Sequence, residues 1–400
     1  MRFCLLTTFY PPWNFGGDGI QVQRLAHALA DRGHRVTVVC APAVHRLLGG
    51  GRVPDPEPHN NVEVVKLPDG PAALTATYLT GRPLRSRRRL ERLLAGGFDV
   101  LHFHNPSLLG APALLAMGDG VKLYTAHEQW LLCPSHVLLK RDRSVCQDPP
   151  CATCEIAHRR PPQLWRRGPL LRRSLAHLDA LILPSATSAR LHERFAPVVR
   201  LEVIEHFVPE LPAGAPAQAH RRPYFLYSGR LEPIKGVETL IEAWRRGRAE
   251  DLVIAGDGGL RRRLHKGAEG MPNVHFVGRL SAAELTPLYR DAIAVVMPTL
   301  GHEVLPLVPL EAFTTATPAV VRRFGALEEL VDGTGAGLSY GSPSELDAAL
   351  DRLASDPRLR AELGRRGSRA FAERFSVDVH LERYFSLLDA VARTPQPVGR

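Results

Sequence analysis

The feature that most constrains this chain is an alternation of strand, loop and helix that runs through its first half, stops, and then starts again. Residues 2–8 are apolar and strand-like, Gly16-Gly17-Asp18-Gly19 form a loop, and residues 20–32 set Val22, Leu25, Ala26 and Leu29 at the spacing of one helix face. Gly33 suits the left-handed position just past a helix end, and Val36-Thr37-Val38-Val39-Cys40 reads as a second strand. Short apolar runs bounded by turn residues predict further buried strands at 62–67, 99–104, 121–124, 178–183 and 199–204. Alternation of this kind builds a parallel sheet, whose crossovers place helices on both faces.

Residues 209–223 are rich in proline and alanine without an apolar period, which marks a linker. The pattern then resumes, with strand-like runs at 224–227, 252–255, 274–277, 293–297 and 319–321 and helical stretches at 237–244 and 310–315. Residues 343–392 are helical in pattern and end in a proline-rich tail. The expected architecture is α/β, with two Rossmann-like doubly wound domains at 1–208 and 224–372. A closing helix within 373–400 is expected to pack back on the first domain. Two such domains would face each other across a central cleft at the carboxyl ends of their sheets, where ligands of this fold class bind.

Composition narrows the setting. No window offers 18 consecutive apolar residues, so no spanning helix is expected. The apolar start is short and runs into Tyr10-Pro11-Pro12-Trp13 instead of a small-residue cleavage site, which reads as a first strand and a cytoplasmic protein. The charge of 51 − 41 = +10 is concentrated in two arginine clusters, 82–92 and 159–173. The first reads as a solvated helix face. The second interleaves arginines with Leu164, Trp165, Leu170 and Leu171, which also suits peripheral contact with an anionic inner-membrane surface. A basic nucleic-acid-binding module is the competing reading, but aromatic residues make up only 6% of the chain and do not interleave into a stacking face, so no nucleic-acid partner is expected.

Four cysteines cluster as C-x12-C-x4-C-x2-C in an insertion at about 130–160: Cys133, Cys146, Cys151 and Cys154. The segment has little apolar content of its own, and in a reducing compartment four thiolates suit a structural zinc better than disulfides. Free or redox-active thiols are the alternative, and His136 reads as a lone surface histidine or, in place of one cysteine, as a substitute ligand. Cys4 and Cys40 fall in strands and read as core.

Three loops carry the chemistry. Gly16-Gly17-Asp18-Gly19 precedes a helix whose amino terminus favours an anion, though a glycine turn there is also an ordinary turn. The spacing is not G-x-G-x-x-G, and the second strand ends in Cys40-Ala41-Pro42 without the acid that would hold a ribose. In Gly229-Arg230-Leu231-Glu232-Pro233-Ile234-Lys235-Gly236, two cations five residues apart at a strand's carboxyl end suit a diphosphate. In Gly301-His302-Glu303-Val304-Leu305-Pro306-Leu307-Val308-Pro309-Leu310-Glu311, both prolines fit only a first helical turn, so a helix begins near Pro306. Glu311 then lies about two turns inside it, among Leu310, Ala312 and Phe313, placed to accept hydrogen bonds from vicinal hydroxyls.

The E-x7-E spacing of Glu303 and Glu311, the Arg230 to Lys235 loop and the early Gly-Gly loop together resemble retaining glycosyltransferase family 4, of GT-B fold, over nearly the whole chain. The resemblance implies transfer of a sugar from a nucleotide-diphosphate donor, UDP- or GDP-linked, to the hydroxyl of a small-molecule, glycan or lipid-linked acceptor, with retention and without a catalytic metal. It implies that Arg230 and Lys235 bind the diphosphate, joined by the backbone around Leu305 and Leu307. It gives Glu311 the ribose, Glu303 the sugar, and Gly16 and Gly17 the phosphate and acceptor side. His127, in Thr125-Ala126-His127-Glu128, resembles the family histidine that faces the donor sugar; on its own residues it would read as a core histidine. Glu303-Val304-Leu305-Pro306 stands where many members carry E-G-F-G, and proline lacks the N–H for one phosphate contact. His206 stands where an asparagine is common, and loops around His102, His104, Asn105 and the cysteine insertion are expected to choose the acceptor. A sugar epimerase or phosphorylase of the same fold is the alternative enzyme.

Overall fold

The computed structural model describes residues 1–140, 144–146, 151–158, 160–211, 220 and 222–393. Most of the expected linker (212–219 and 221), the proline-rich tail (394–400) and parts of the cysteine insertion lie outside the described residues. The chain divides into two units, one of residues 1–141, 146–204 and from Leu381 on, the other mainly Glu205–His380.

The first unit is built on seven parallel strands: β1 (Arg2–Thr7), β2 (Arg35–Cys40), β3 (Val62–Lys66), β4 (Val100–Asn105), β5 (Val121–Thr125), β6 (Ala180–Leu183) and β7 (Leu201–Val203). Their order is β3-β2-β1-β4-β5-β6-β7, so the winding reverses between β1 and β4. β4 and β6 are buried at every position, as strands covered on both faces must be, whereas β3 at the edge is half-exposed instead of buried as expected. The helix Gly17–Asp31 buries Val22, Leu25, Ala26 and Leu29, the stripe read from the sequence. It ends where Gly33 turns to φ +81° and its N–H reaches the Ala30 carbonyl.

The second unit carries six parallel strands: β8 (Tyr224–Ser228), β9 (Asp251–Ala255), β10 (Val274–Gly278), β11 (Ala294–Met297), β12 (Ala319–Arg322) and β13 (Gly337–Tyr340), in the order β10-β9-β8-β11-β12-β13. Its reversal lies between β8 and β11. β13 was not expected, because Gly337-Leu338-Ser339-Tyr340 is short and weakly apolar. It forms because Gly337 packs against β12 so closely that a Cβ would stand 2.1 Å from the Ala319 carbonyl oxygen. The helical end resolves into Pro343–Ser355, Pro357–Ala370 and Val377–Ala392. In the last helix, His380 Nδ1 lies 2.7 Å from the Glu205 carbonyl oxygen in the second unit. Leu381, Tyr384, Leu387 and Leu388 are buried, and Tyr384 places its hydroxyl 3.0 Å from His102 Nδ1 in the first.

Candidate functional site

Parallel sheets concentrate ligand-binding loops where the winding reverses, because the loops leaving the two neighbouring strands part to opposite faces there. In the second unit those are the loops after β8 and β11, and the backbone stitches them together. Leu300 N–H donates to the Ile234 carbonyl at 2.7 Å. Gly236 sits at φ +67°, where a Cβ would meet the Pro298 carbonyl oxygen at 2.2 Å. That registry carries Lys235, the last residue of a short 3-10 turn Pro233–Lys235, to Glu303: Lys235 Nζ lies 2.5 Å from Glu303 Oε1, and both side chains are 17% exposed. Two residues 68 positions apart, each expected at the site, are thereby joined. Arg230 is exposed on the same loop. Its carbonyl accepts the Tyr227 hydroxyl at 2.7 Å, and burial pushes the Tyr227 phenol well above its usual range, so it stays a donor.

A third loop, Gly256-Asp257-Gly258-Gly259 after β9, belongs to this cluster and was missed in the sequence. Leu231 N–H donates to the Asp257 carbonyl at 2.9 Å, and Gly259 N–H to Glu232 Oε1 at 3.2 Å. Gly256, at φ +149°, leaves only 1.9 Å between an added Cβ and the Gly229 carbonyl oxygen. The signal was a glycine-dense turn directly after a strand, the same signal that marked the Gly16 loop. Gly256→Ala is expected to cost at least about 2 kcal/mol, because strain and backbone overlap add, whereas Gly270→Ala, at φ +79° in open space, should cost about 1 kcal/mol. Urea unfolding measures both, and equal losses would mean that the two loops are not packed as described.

After β11 the chain runs to Pro306, which caps the helix Leu307–Thr314, and Pro309 falls in its first turn as the prolines required. Glu311 is therefore the fifth helical residue, little more than one turn in, not two. Leu310, Ala312 and Phe313 are fully buried and Glu311 half-buried. Tyr289, buried on the helix Ala282–Asp291, donates its hydroxyl to Glu311 Oε2 at 3.0 Å and so aims the carboxylate. The amides of Leu305 and Leu307 flank the donorless Pro306. His206 Nδ1 holds the Leu305 carbonyl at 3.0 Å, which gives that histidine a role sequence reasoning did not find. His302, half-buried beside Glu303, is kept neutral by burial, which lowers its pKa.

In the first unit the reversal lies between β1 and β4. Thr8 N–H donates to the Asn105 carbonyl at 2.6 Å, and Asn105 Nδ2 donates to Asp18 Oδ2 at 3.0 Å. Gly16 caps the helix in extended backbone at φ −142°, and Gly17 is exposed at its first position. The steric need for glycine falls instead on Gly19, whose added Cβ would stand 2.9 Å from Asn14 Cβ. Asp18 already sets a negative charge in the first turn of the helix. His127 is half-buried, its Nε2 2.9 Å from His104 Nδ1. His102, His104 and Asn105 lie on β4, buried, instead of in an acceptor loop; His102 Nε2 is 2.8 Å from Thr125 Oγ1.

Of the four clustered cysteines, Cys133 is buried and the others are half-buried. Burial, then the neighbouring sulfurs of Cys133 and Cys146, raise the Cys154 thiol, and Cys151 is pushed up to about 11 chiefly by burial. Among the described residues, however, no three of these sulfurs lie within 4.8 Å of one another. His136 is occupied elsewhere, its Nδ1 2.7 Å from Glu128 Oε1.

Comparison with known proteins follows the division into units. The model described as Glycosyltransferase Family 4 matches residues 15–210, and that described as Glycosyl transferases group 1 matches residues 222–356. The chain is 28% identical to the MMP alpha-(1->4)-mannosyltransferase of Mycolicibacterium hassiacum over 94% of its own length and 95% of the relative's. It is 27% identical to the phosphatidyl-myo-inositol mannosyltransferase of Mycobacterium tuberculosis, over 84% of this chain and 83% of that one. Among solved structures, sucrose-phosphate synthase from Thermosynechococcus elongatus shares the fold, with a TM-score of 0.77 at 20% identity over 98% of this chain and 100% of that chain.

Proposed function

The chain belongs to glycosyltransferase family 4, with the two Rossmann-like domains of the GT-B fold, and from that premise we propose that it transfers a hexose from UDP or GDP to an acceptor hydroxyl with retention of anomeric configuration. The observation that carries the reading is the Lys235–Glu303 ion pair at the reversal of the second sheet, with Glu311 aimed by Tyr289 one turn into the adjoining helix. In a nucleotide-diphosphate sugar the diphosphate joins sugar to ribose, and Lys235, Glu303 and Glu311 offer a cation for the first and a carboxylate for each of the other two.

In this reading Arg230 and Lys235 hold the diphosphate and offset the charge that grows on it as the glycosidic bond breaks. The Leu305 and Leu307 amides supplement them around Pro306. Glu303 accepts from the sugar, and Glu311 from the ribose. No residue is cast as a covalent nucleophile: the leaving phosphate takes the acceptor proton on the face it departs from, and the two cations stand in for a catalytic metal. His127, tied to His104, is assigned to the donor sugar. Gly16 and Gly17 are assigned to the phosphate and acceptor side, where Asp18 favours a hydroxyl-bearing acceptor over a further anion.

The relatives' names support a glycan or lipid-linked acceptor, and the exposed Leu164 together with the exposed Arg167, Arg172 and Arg173 supports peripheral contact with an anionic inner-membrane surface, whereas Leu171 is buried in the core. No helix among the described residues is long and apolar enough to cross a membrane. Structural zinc on Cys133, Cys146, Cys151 and Cys154 remains our proposal for the insertion; it requires the sulfurs to draw together from their present spacing.

A panel of nucleoside diphosphates and their sugars tests the donor site. One base, at about 100 times its dissociation constant, should stabilise the chain by about 2.7 kcal/mol, read as a rise in Tm, and its sugar should turn over with an acceptor to the anomer the donor carried. No shift with any base at millimolar ligand would overturn the donor-site assignment, and an inverted product would overturn retention.

A further inference from the structure

At the opposite edge of the second unit's sheet, where the strands begin, a carboxylate is buried under conditions that ask for a cation. Asp251 opens β9 and is 2% exposed. Taking a carboxylate out of water costs several kcal/mol unless charge and hydrogen bonds replace the lost hydration. Two imidazoles converge on one of its oxygens: His220 Nε2 lies 2.6 Å and His275 Nε2 3.1 Å from Asp251 Oδ2. The other oxygen, Oδ1, is buried without a hydrogen-bond partner, its nearest charge being the exposed Arg222, whose Nη1 is 3.3 Å away. His220 comes from the segment entering β8, and His275 is the second residue of β10, so the cluster ties three separate stretches of chain.

We propose that His220, Asp251 and His275 bind a divalent transition cation of the zinc class. The three donor atoms lie within 4.8 Å of one another, and the two imidazole rings, 4.8 Å apart at 60°, both bring Nε2 to Asp251 Oδ2. Four-coordinate zinc with bonds of about 2.0–2.1 Å separates neighbouring ligand atoms by roughly 3.3 Å, so side-chain rotations of under about 1 Å convert this arrangement into a coordination sphere. Two imidazole nitrogens and one carboxylate oxygen favour zinc, cobalt or nickel over magnesium or calcium, which take oxygen ligands. The fourth position is left to water, reached past His275, which is 36% exposed. The cation would not take part in sugar transfer, because the Lys235 and Glu303 loops leave the other ends of the strands. Its effect would be to tie His220, ahead of β8, to β9 and β10.

The test uses the untagged full-length chain, freed of metal and titrated with Co²⁺ and then Zn²⁺. The expected result is a Co²⁺ equivalent with visible d–d bands and no thiolate-to-cobalt charge transfer, separate from any equivalent on the clustered cysteines, which the near-ultraviolet thiolate band marks; Zn²⁺ displaces it and the Tm rises. His275→Gln and His220→Gln, each verified as folded by circular dichroism, should each weaken that equivalent at least about 10-fold. These half-exposed positions keep the test open if Asp251→Asn does not fold. Cobalt that shows only the thiolate band, no saturable binding at all, or binding that both histidine variants leave unchanged would overturn the proposal. The thiolate band alone would instead place the metal on the clustered cysteines.

Discussion

Lys235→Met is expected to lower kcat/KM for sugar transfer by about 10²-fold and the unfolding free energy by about 1–2 kcal/mol. The two losses have different origins, which a second substitution separates. Lys235 and Glu303 form a largely buried pair, so removing the ammonium leaves a carboxylate short of both water and counter-charge. Removing that carboxylate as well, in Lys235→Met/Glu303→Gln, should restore most of the stability, because the pair itself contributes little beyond satisfying its own desolvation. It should not restore the rate, because the cation opposite the leaving diphosphate and the acceptor for the sugar hydroxyl are then both gone. Chemical denaturation and steady-state kinetics on the two singles and the double complete the cycle. A double variant that recovers activity, or a Lys235→Met enzyme within about 3-fold of the parent, would mean that the pair is a structural link between two loops and nothing more.

Glu311→Ala should abolish the stabilisation given by the preferred nucleoside diphosphate and lower kcat/KM by about 10 to 100-fold, the loss of about 1.5–3 kcal/mol in charge-assisted hydrogen bonds. Tyr289→Phe is the informative companion. It keeps the carboxylate but removes the hydroxyl 3.0 Å from Oε2, so the acid is present and less well aimed. A weaker effect is expected there, about 3 to 10-fold and mainly in KM, since the ribose is bound alike in ground and transition states. If Tyr289→Phe matched Glu311→Ala, the tyrosine would itself be touching the nucleotide. If Glu311→Ala left nucleotide binding intact, the ribose assignment would fail.

The course of both sheets was legible because buried parallel strands are short apolar runs and little else, and Val36 to Cys40 or Ile293 to Met297 cannot be read as surface. The loops that follow them were legible where residue type is costly to keep without a purpose: two cations beside a glycine, an acid among Leu310, Ala312 and Phe313. What stayed hidden depends on distance in space. No spacing rule brings Lys235 to Glu303, or Tyr289 to Glu311, because the reversal of strand order does so. β13 was hidden because its stability comes from Gly337 lying against β12 and not from its own side chains. His102 and His104 suggested an acceptor loop by polarity alone, but their hydrogen bonds to Thr125, Tyr384 and His127 let them sit inside the sheet. His220, Asp251 and His275 are ordinary residues in the sequence and meet only because β9 and β10 are neighbours.

The last helix changes what counts as half of this protein. Apart from the short stretch 142–145, residues 205 to His380 group with the second unit and residues from Leu381 with the first, so the main course of the polypeptide enters the second unit and then leaves it again. A fragment ending near residue 204 would carry all seven strands of its sheet and still lack Tyr384, leaving His102 and Phe3 without their cover. Donor preference therefore cannot be grafted between related enzymes by a single splice. A working chimera needs two junctions, one near 204 and one near 380, so that each recipient keeps its own closing helix.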